Sequence, residues 1–337
     1  MSMSELLELG QPSLPGMCAV TEAVGRLASM EQSGEHGAVY TRAEVVEFML
    51  DLAGYTSERP LHAMKLLEPS FGGGDFLLAA VRRLLVSCDR HGFGGPIDQC
   101  IRAVELHART YADTRSKVLA LLSASGIDDD RARKLVDAWL INGDFLLTRL
   151  PGHFDFVVGN PPYVRQELIP PALLAVYRQK YATLYDRGDL YVPFFERSLD
   201  LIGSHGRLVF ICANRWMKNR YGGPLRELIA GSYHLRAYVD MEGTDAFHSE
   251  VSAYPAITLV ERTRSGPTLA AARPEIEIQY LTRLAKALLG NAPDEALGVT
   301  AAASPSPNGA PWVFGSSVKL ELLRRVEAAF PALEDVG

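Results

Sequence analysis

Between Thr41 and Ala53, apolar residues recur at 45, 48, 49 and 52, the spacing of one helix face, and Thr41 precedes Glu44 by three positions as in a capping box. The pattern predicts an amphipathic helix over 41–53, opened by Thr41. The period then changes. A short apolar run at 64–68 predicts a strand, which enters the turn Pro69-Ser70-Phe71-Gly72-Gly73-Gly74 and leads to a helix over 75–85. Strand, glycine turn and helix form the first half of a βαβ unit. Further strands are predicted at 101–105, just ahead of Asp144, and at 154–158, 206–212 and 235–240. Helices are predicted at 107–123, 129–140, 189–203 and 224–231. The apolar run 253–260 is expected to pair antiparallel with one of these strands, with Pro255 near its start, where a missing donor is tolerated. Strands alternating with helices of this length predict an α/β fold: a Rossmann-like, doubly wound, mostly parallel sheet with one antiparallel strand.

Three regions follow from the same pattern. Residues 1–38 read as an N-terminal helical extension with a polar, glycine-bearing loop at 31–37, and 39–265 as the α/β domain. Beyond that the pattern decays: 267–273 is expected to be irregular, 281–289 helical, 301–310 a linker and 317–329 an amphipathic helix. Residues 266–337 therefore read as a linker and the truncated start of a C-terminal region. No run approaches 18 apolar residues, and the N-terminus lacks the features of a secretory signal, so a cytoplasmic protein without membrane association is expected. Cys18, Cys88, Cys100 and Cys212 show no CxxC spacing, and His153, His205 and His248 have no ligand spacing. No metal site is expected.

Net charge is −6, which disfavours nonspecific coating of nucleic acid. Charge is unevenly spread, however. Residues 165–236 hold 11 Lys and Arg against 6 Asp and Glu, a local +5 that leaves −11 for the rest, so a basic surface remains available.

In an open α/β sheet the ligand site lies at the carboxyl ends of the strands, so the residues there belong together. After the first strand, Gly72 and Gly74 allow close backbone approach. After the second, Glu105 suits a pair of ribose hydroxyls. The turn lacks a full GxGxxG, which favours a nucleoside without a diphosphate. Asp144 offers an acceptor for an exocyclic amine and Phe145 a ring to lie against a purine. Each feature alone also has a plain structural reading: a tight turn, a solvated carboxylate, a core ring. The sharpest signal is Asn160-Pro161-Pro162-Tyr163 after an apolar strand. Two prolines remove two backbone donors, leaving the Asn160 side-chain oxygen and the Pro161 carbonyl as fixed acceptors for one planar amine, with Tyr163 able to stack on its ring.

Together with the Thr41 segment, Glu68 and the glycine turn, Asp189 to Phe195, and Ala246 to Ala253, this ordered set resembles the gamma-class adenine-specific DNA methyltransferases over residues 37–262. The resemblance implies an S-adenosylmethionine-dependent fold and site-specific transfer of a methyl group to the N6 amine of adenine. Thr41, Glu68, Pro69, Gly72 and Gly74 would surround the methionine end of S-adenosylmethionine, Glu105 would hold the ribose, and Asp144, Phe145 and Phe194 the adenine. Asn160, Pro161, Pro162 and Tyr163 would form the catalytic loop. Phe247 would cover the other face of the flipped base. Apart from the resemblance, Lys218 and Arg220 stand in a glycine-containing loop of the locally basic stretch and are candidates for contact with DNA phosphates, a solvated loop being the competing reading. Glu68 stands where the family often has Asp, and Arg42 and Ala43 where relatives often have prolines. The implied partners are double-stranded DNA and, because such enzymes usually carry a C-terminal recognition domain, a separate target-recognition or restriction subunit. Transfer to a protein glutamine or an RNA base, and a noncatalytic DNA-binding subunit, are the competing readings.

Overall fold

Short apolar runs, most of them buried along nearly their whole length, build a nine-stranded sheet in the computed structural model, which describes residues 19–30, 41–248, 254–290, 292–314 and 329. The loop expected at 31–37 and nearly all of the helix expected at 317–329 lie outside the described residues. The strands are β1 (Leu66–Glu68), β2 (Ile101–Glu105), β3 (Leu140–Asn142), β4 (Phe154–Gly159), β5 (Ile202–Ala213), β6 (His234–Asp240), β7 (Pro255–Glu261), β8 (Thr268–Ala272) and β9 (Thr300–Ala302). Their order is β3-β2-β1-β4-β5-β7-β6-β8-β9. β7 runs antiparallel between β5 and β6, and its continuous apolar run suits a strand covered on both faces. Strand order reverses between β1 and β4, and the crevice outside that switch point is where open α/β sheets bind ligands.

Helices cover both faces. They are α1 (Ala19–Met30), α2 (Ala43–Ala53), α3 (Asp75–Arg90), α4 (Ala108–Ala124), α5 (Asp129–Trp139), α6 (Pro171–Lys180), α7 (Tyr191–Leu201), α8 (Arg215–Lys218), α9 (Gly223–Ser232) and α10 (Ile278–Leu289). Strand side chains alternate between the layers: Val209 and Ile211 of β5 pack with α2, α3, α4, α5 and α10, while Leu208, Phe210 and Cys212 pack with α1, α6, α7 and α9. No helix of the described residues is long and apolar enough to cross a membrane.

Three expectations are corrected. α2 begins at Ala43, and its N-cap is Arg42, in extended conformation and without a side-chain cap, so Thr41 opens no capping box. Residues 41–42 are committed elsewhere: the Thr41 amide donates to Asp75 Oδ2 at 3.0 Å, the Arg42 amide to the Ala246 carbonyl at 3.0 Å, and Thr41 bridges Phe247. Residues 268–272, read as irregular, form β8 parallel to β6. Its Thr-Leu-Ala-Ala-Ala sequence has weak strand propensity, which pairing with β6 overrides. The segment read as a linker at 301–310 begins inside β9, antiparallel to β8, so the sheet extends to Ala302.

Candidate active site

The four parallel strands at the switch point deliver their carboxyl-terminal residues to one cleft. β1 and its turn contribute Glu68, Pro69 and Gly72, β2 contributes Glu105, and the turn after β3 contributes Asp144 and Phe145. β4 contributes Asn160, Pro161, Pro162 and Tyr163, and Thr41 and Phe194 close the sides. Residues far apart in sequence meet here because parallel strands place all their carboxyl ends on one edge.

The glycine turn is built around backbone conformation. Gly72 has φ +48°, a left-handed value, and no atom lies within 4 Å of where its Cβ would stand, so the chain is open to a ligand at that point. Gly74 does not line the cleft. It is the left-handed N-cap of α3, with φ +91°, and a Cβ there would meet Thr114 Cγ2 at 2.7 Å. The Gly72 carbonyl accepts the Thr114 hydroxyl at 2.8 Å and the Gly73 carbonyl the Lys117 ammonium at 2.9 Å, both from α4.

Carboxylates dominate the polar lining. Glu105, 3% exposed, accepts the Gly72 amide on Oε2 at 2.8 Å and the His107 amide on Oε1 at 2.9 Å, which ties the end of β2 to the glycine turn. Glu68 is 1% exposed and its Oε2 is buried with no hydrogen-bond partner. Burial, with Asp75 and Glu105 nearby, pushes its carboxyl well above the ordinary value of 4.5. Asp75 is also raised by burial, against the pull of the Thr41 amide. Asp144 accepts the Leu146 amide on Oδ1 at 2.7 Å and the Tyr177 hydroxyl on Oδ2. Burial raises its carboxyl, and Tyr177, Leu146 and Arg197 oppose the rise.

Beside them lies an aromatic and proline wall. Phe145 and Phe194 pack with centroids 4.9 Å apart, and the Arg197 guanidinium lies 4.8 Å from the Phe145 ring centre. Tyr163 is half-buried, with its hydroxyl 3.5 Å from the Ile211 carbonyl, and the Val164 carbonyl accepts the Leu190 amide at 2.9 Å. The loop after β4 is thus held from both sides.

Phe247 does not line the cleft; it is half-buried and pairs with Thr41 at its margin. Lys218, the last residue of α8, and Arg220, in the turn that follows, are exposed beyond β5. Lys218 borders a separate polar groove with Arg215 and Tyr254, and Arg220 reaches the Tyr185 hydroxyl at 3.5 Å. Sequence reasoning missed Asp75, Tyr177 and Leu27, which also line the cleft. Asp75 directly follows the glycine turn and so carried a usable signal. Tyr177 and Leu27 sit in ordinary amphipathic helices and carried none.

Residues 83–247 match the sequence profile of the Eco57I restriction-modification methylases. The chain resembles that family. It is 51% identical over 332 residues to the type II methyltransferase M.PaeR7I of Pseudomonas aeruginosa, covering 97% of this chain and 58% of the relative. It is 46% identical over 312 residues to the type II methyltransferase M.XhoI of Xanthomonas vasicola, covering 90% of this chain and 57% of that one. The chain therefore spans a little over half the length of these curated relatives. In fold it resembles the methyltransferase subunit of the type I restriction-modification system from Streptococcus thermophilus, with a TM-score of 0.55 at 15% identity, over 77% of this chain and 55% of that one.

Proposed function

We propose that this chain is the catalytic region of a DNA methyltransferase that moves a methyl group from S-adenosylmethionine to the N6 amine of a flipped adenine, within a restriction-modification or phage-defence system. The observation that carries the reading is the meeting of two chemical sets in one cleft: buried carboxylates Glu68, Glu105 and Asp144 beside the acceptor loop Asn160 to Tyr163. A nucleoside diphosphate would face like charge from these carboxylates. A sulfonium nucleoside suits them, because its positive charge favours the ionised form of Glu68, whose Oε2 is buried without a partner in that part of the cleft.

S-adenosylmethionine supplies an electrophilic methyl group on a sulfonium that leaves as a neutral thioether. Glu105 accepts from the ribose hydroxyls, Asp144 accepts from the cofactor's adenine amine, and Phe145 and Phe194 flank that ring. Asn160 Oδ1 and the Pro161 carbonyl accept the two hydrogens of the target amine, drawing its nitrogen from planar toward tetrahedral geometry and stabilising the positive charge that develops there. Those same acceptors hold the surplus proton until water takes it. Tyr163 stacks on the extruded base, offsetting part of the few kcal/mol that unstacking costs. Lys218 and Arg220 face the DNA backbone. Target recognition belongs to a further region or a partner subunit, in keeping with the share of the relatives' length that this chain spans.

The test is calorimetric titration with S-adenosylmethionine followed by transfer of a labelled methyl group to unmethylated duplex DNA, in wild type and Asn160→Ala. Asn160→Ala is expected to bind cofactor with near wild-type affinity and to transfer no methyl group. Turnover by the variant would refute the two-acceptor mechanism, and label on cytosine, RNA or protein would refute the adenine assignment.

A further inference from the structure

Asp144 is held by groups outside its own loop. It is 8% exposed, and its Oδ2 accepts the hydroxyl of Tyr177, which arrives from α6, 33 residues away. Tyr177 is 1% exposed and lines the cleft with Asp144, Phe145 and Phe194. α6 is itself pinned to the same loop. The Lys180 ammonium donates to the Leu146 carbonyl at 2.9 Å, the Tyr181 hydroxyl donates to the same oxygen, and Arg197 reaches the Tyr181 hydroxyl at 3.3 Å. The position of the Tyr177 hydroxyl is therefore set by the protein before any ligand arrives.

The chemistry of that contact is selective. A carboxylate has about four acceptor directions, of which the Leu146 amide and Tyr177 occupy two, leaving others for a ligand amine. An ionised Asp144 accepts from a 6-amino purine and repels the oxygen of a 6-oxo purine. Once protonated it becomes a donor and suits the 6-oxo group instead. Burial favours the protonated form, and the Tyr177 hydroxyl, which donates to the carboxylate, favours the ionised one.

We infer that Tyr177 is a specificity-determining positioning residue, whose hydroxyl holds Asp144 as an oriented acceptor so that the cleft selects a 6-amino over a 6-oxo purine nucleoside. The inference rests on the reading of this cleft as an adenosyl-cofactor site. It is tested by titrating the whole chain with S-adenosylhomocysteine and with S-inosylhomocysteine, in wild type, Tyr177→Phe, Asp144→Asn and the double variant. Wild type is expected to prefer the adenosyl compound, and Tyr177→Phe to lose about tenfold of that preference, the size expected for one hydrogen bond to a charged group. Asp144→Asn, which leaves Tyr177 and its packing in place, is expected to lose the preference as well, and adding Tyr177→Phe to it is expected to change the ratio no further. Misfolded molecules lower the stoichiometry but leave the ratio of two dissociation constants unchanged. A hydroxyl that only fills space would weaken both compounds alike, and an unchanged ratio in Tyr177→Phe or in Asp144→Asn overturns the inference. Failure of wild type to bind either compound overturns the adenosyl reading itself, and this inference with it.

Discussion

Glu105→Gln separates the two duties that the end of β2 performs. In the protein without ligand, Glu105 Oε2 accepts the Gly72 amide at 2.8 Å and Oε1 the His107 amide at 2.9 Å. Glutamine keeps the shape but replaces one acceptor oxygen with an NH2 group, so one of those amides must face a donor. At 3% exposure no bulk water replaces the lost partner, and the unsatisfied amide costs about 1–3 kcal/mol. Urea unfolding of the ligand-free protein is therefore expected to show a loss of that size with an unchanged m-value. Calorimetry is expected to show S-adenosylmethionine affinity falling by about ten- to a hundredfold, since the ribose loses a charged acceptor worth about 1.5–3 kcal/mol. An unchanged urea midpoint would refute the role of Glu105 in holding the glycine turn. Unchanged affinity would remove it from the ribose.

Glu68→Gln is expected to gain stability over wild type as pH rises. The folded carboxyl titrates well above its ordinary value of 4.5, so the native state binds more protons than the unfolded chain in that window, and wild-type stability falls as pH climbs from the ordinary value through the raised one. Urea midpoints at pH 5 and pH 8 check this, and a stability difference that shrinks with pH would contradict it. Arg226→Met is expected to cost about 2–4 kcal/mol and to expose residues 305–314 to protease. Arg226, 2% exposed, donates to the carbonyls of Trp216, Asn219 (2.9 Å) and Gly309 (3.0 and 2.6 Å), binding the C-terminal strap to the loop after β5. Limited proteolysis with mass spectrometry reads the outcome, and an unaltered cleavage pattern would refute the clamp.

The glycine turn, Glu105, Asp144 and the Asn160 to Tyr163 loop were legible in the sequence because each stands directly after a short apolar strand, where local pattern and ligand geometry coincide. β7 was legible as a strand for a similar reason: a continuous apolar run opened by Pro255 suits a strand buried on both faces. The Thr41 cap was misread because its motif is local whereas the partners of Thr41, Asp75 and Phe247, and of Arg42, Ala246, are not. β8 escaped detection because three alanines carry little strand signal until β6 offers its free edge.

By itself the sequence determined the alternation of strands and helices, the chemistry at each strand end and hence the edge on which a site could form, because these depend on neighbours a few residues apart. Only the tertiary structure decided which of those residues meet. Glu105 binds the glycine turn across 33 positions, Tyr177 reaches Asp144 from another helix, and Gly309 returns to cap Arg226 across 83. Such contacts follow from how the layers pack, and a side chain within an ordinary amphipathic helix does not announce the partner that packing will bring to it.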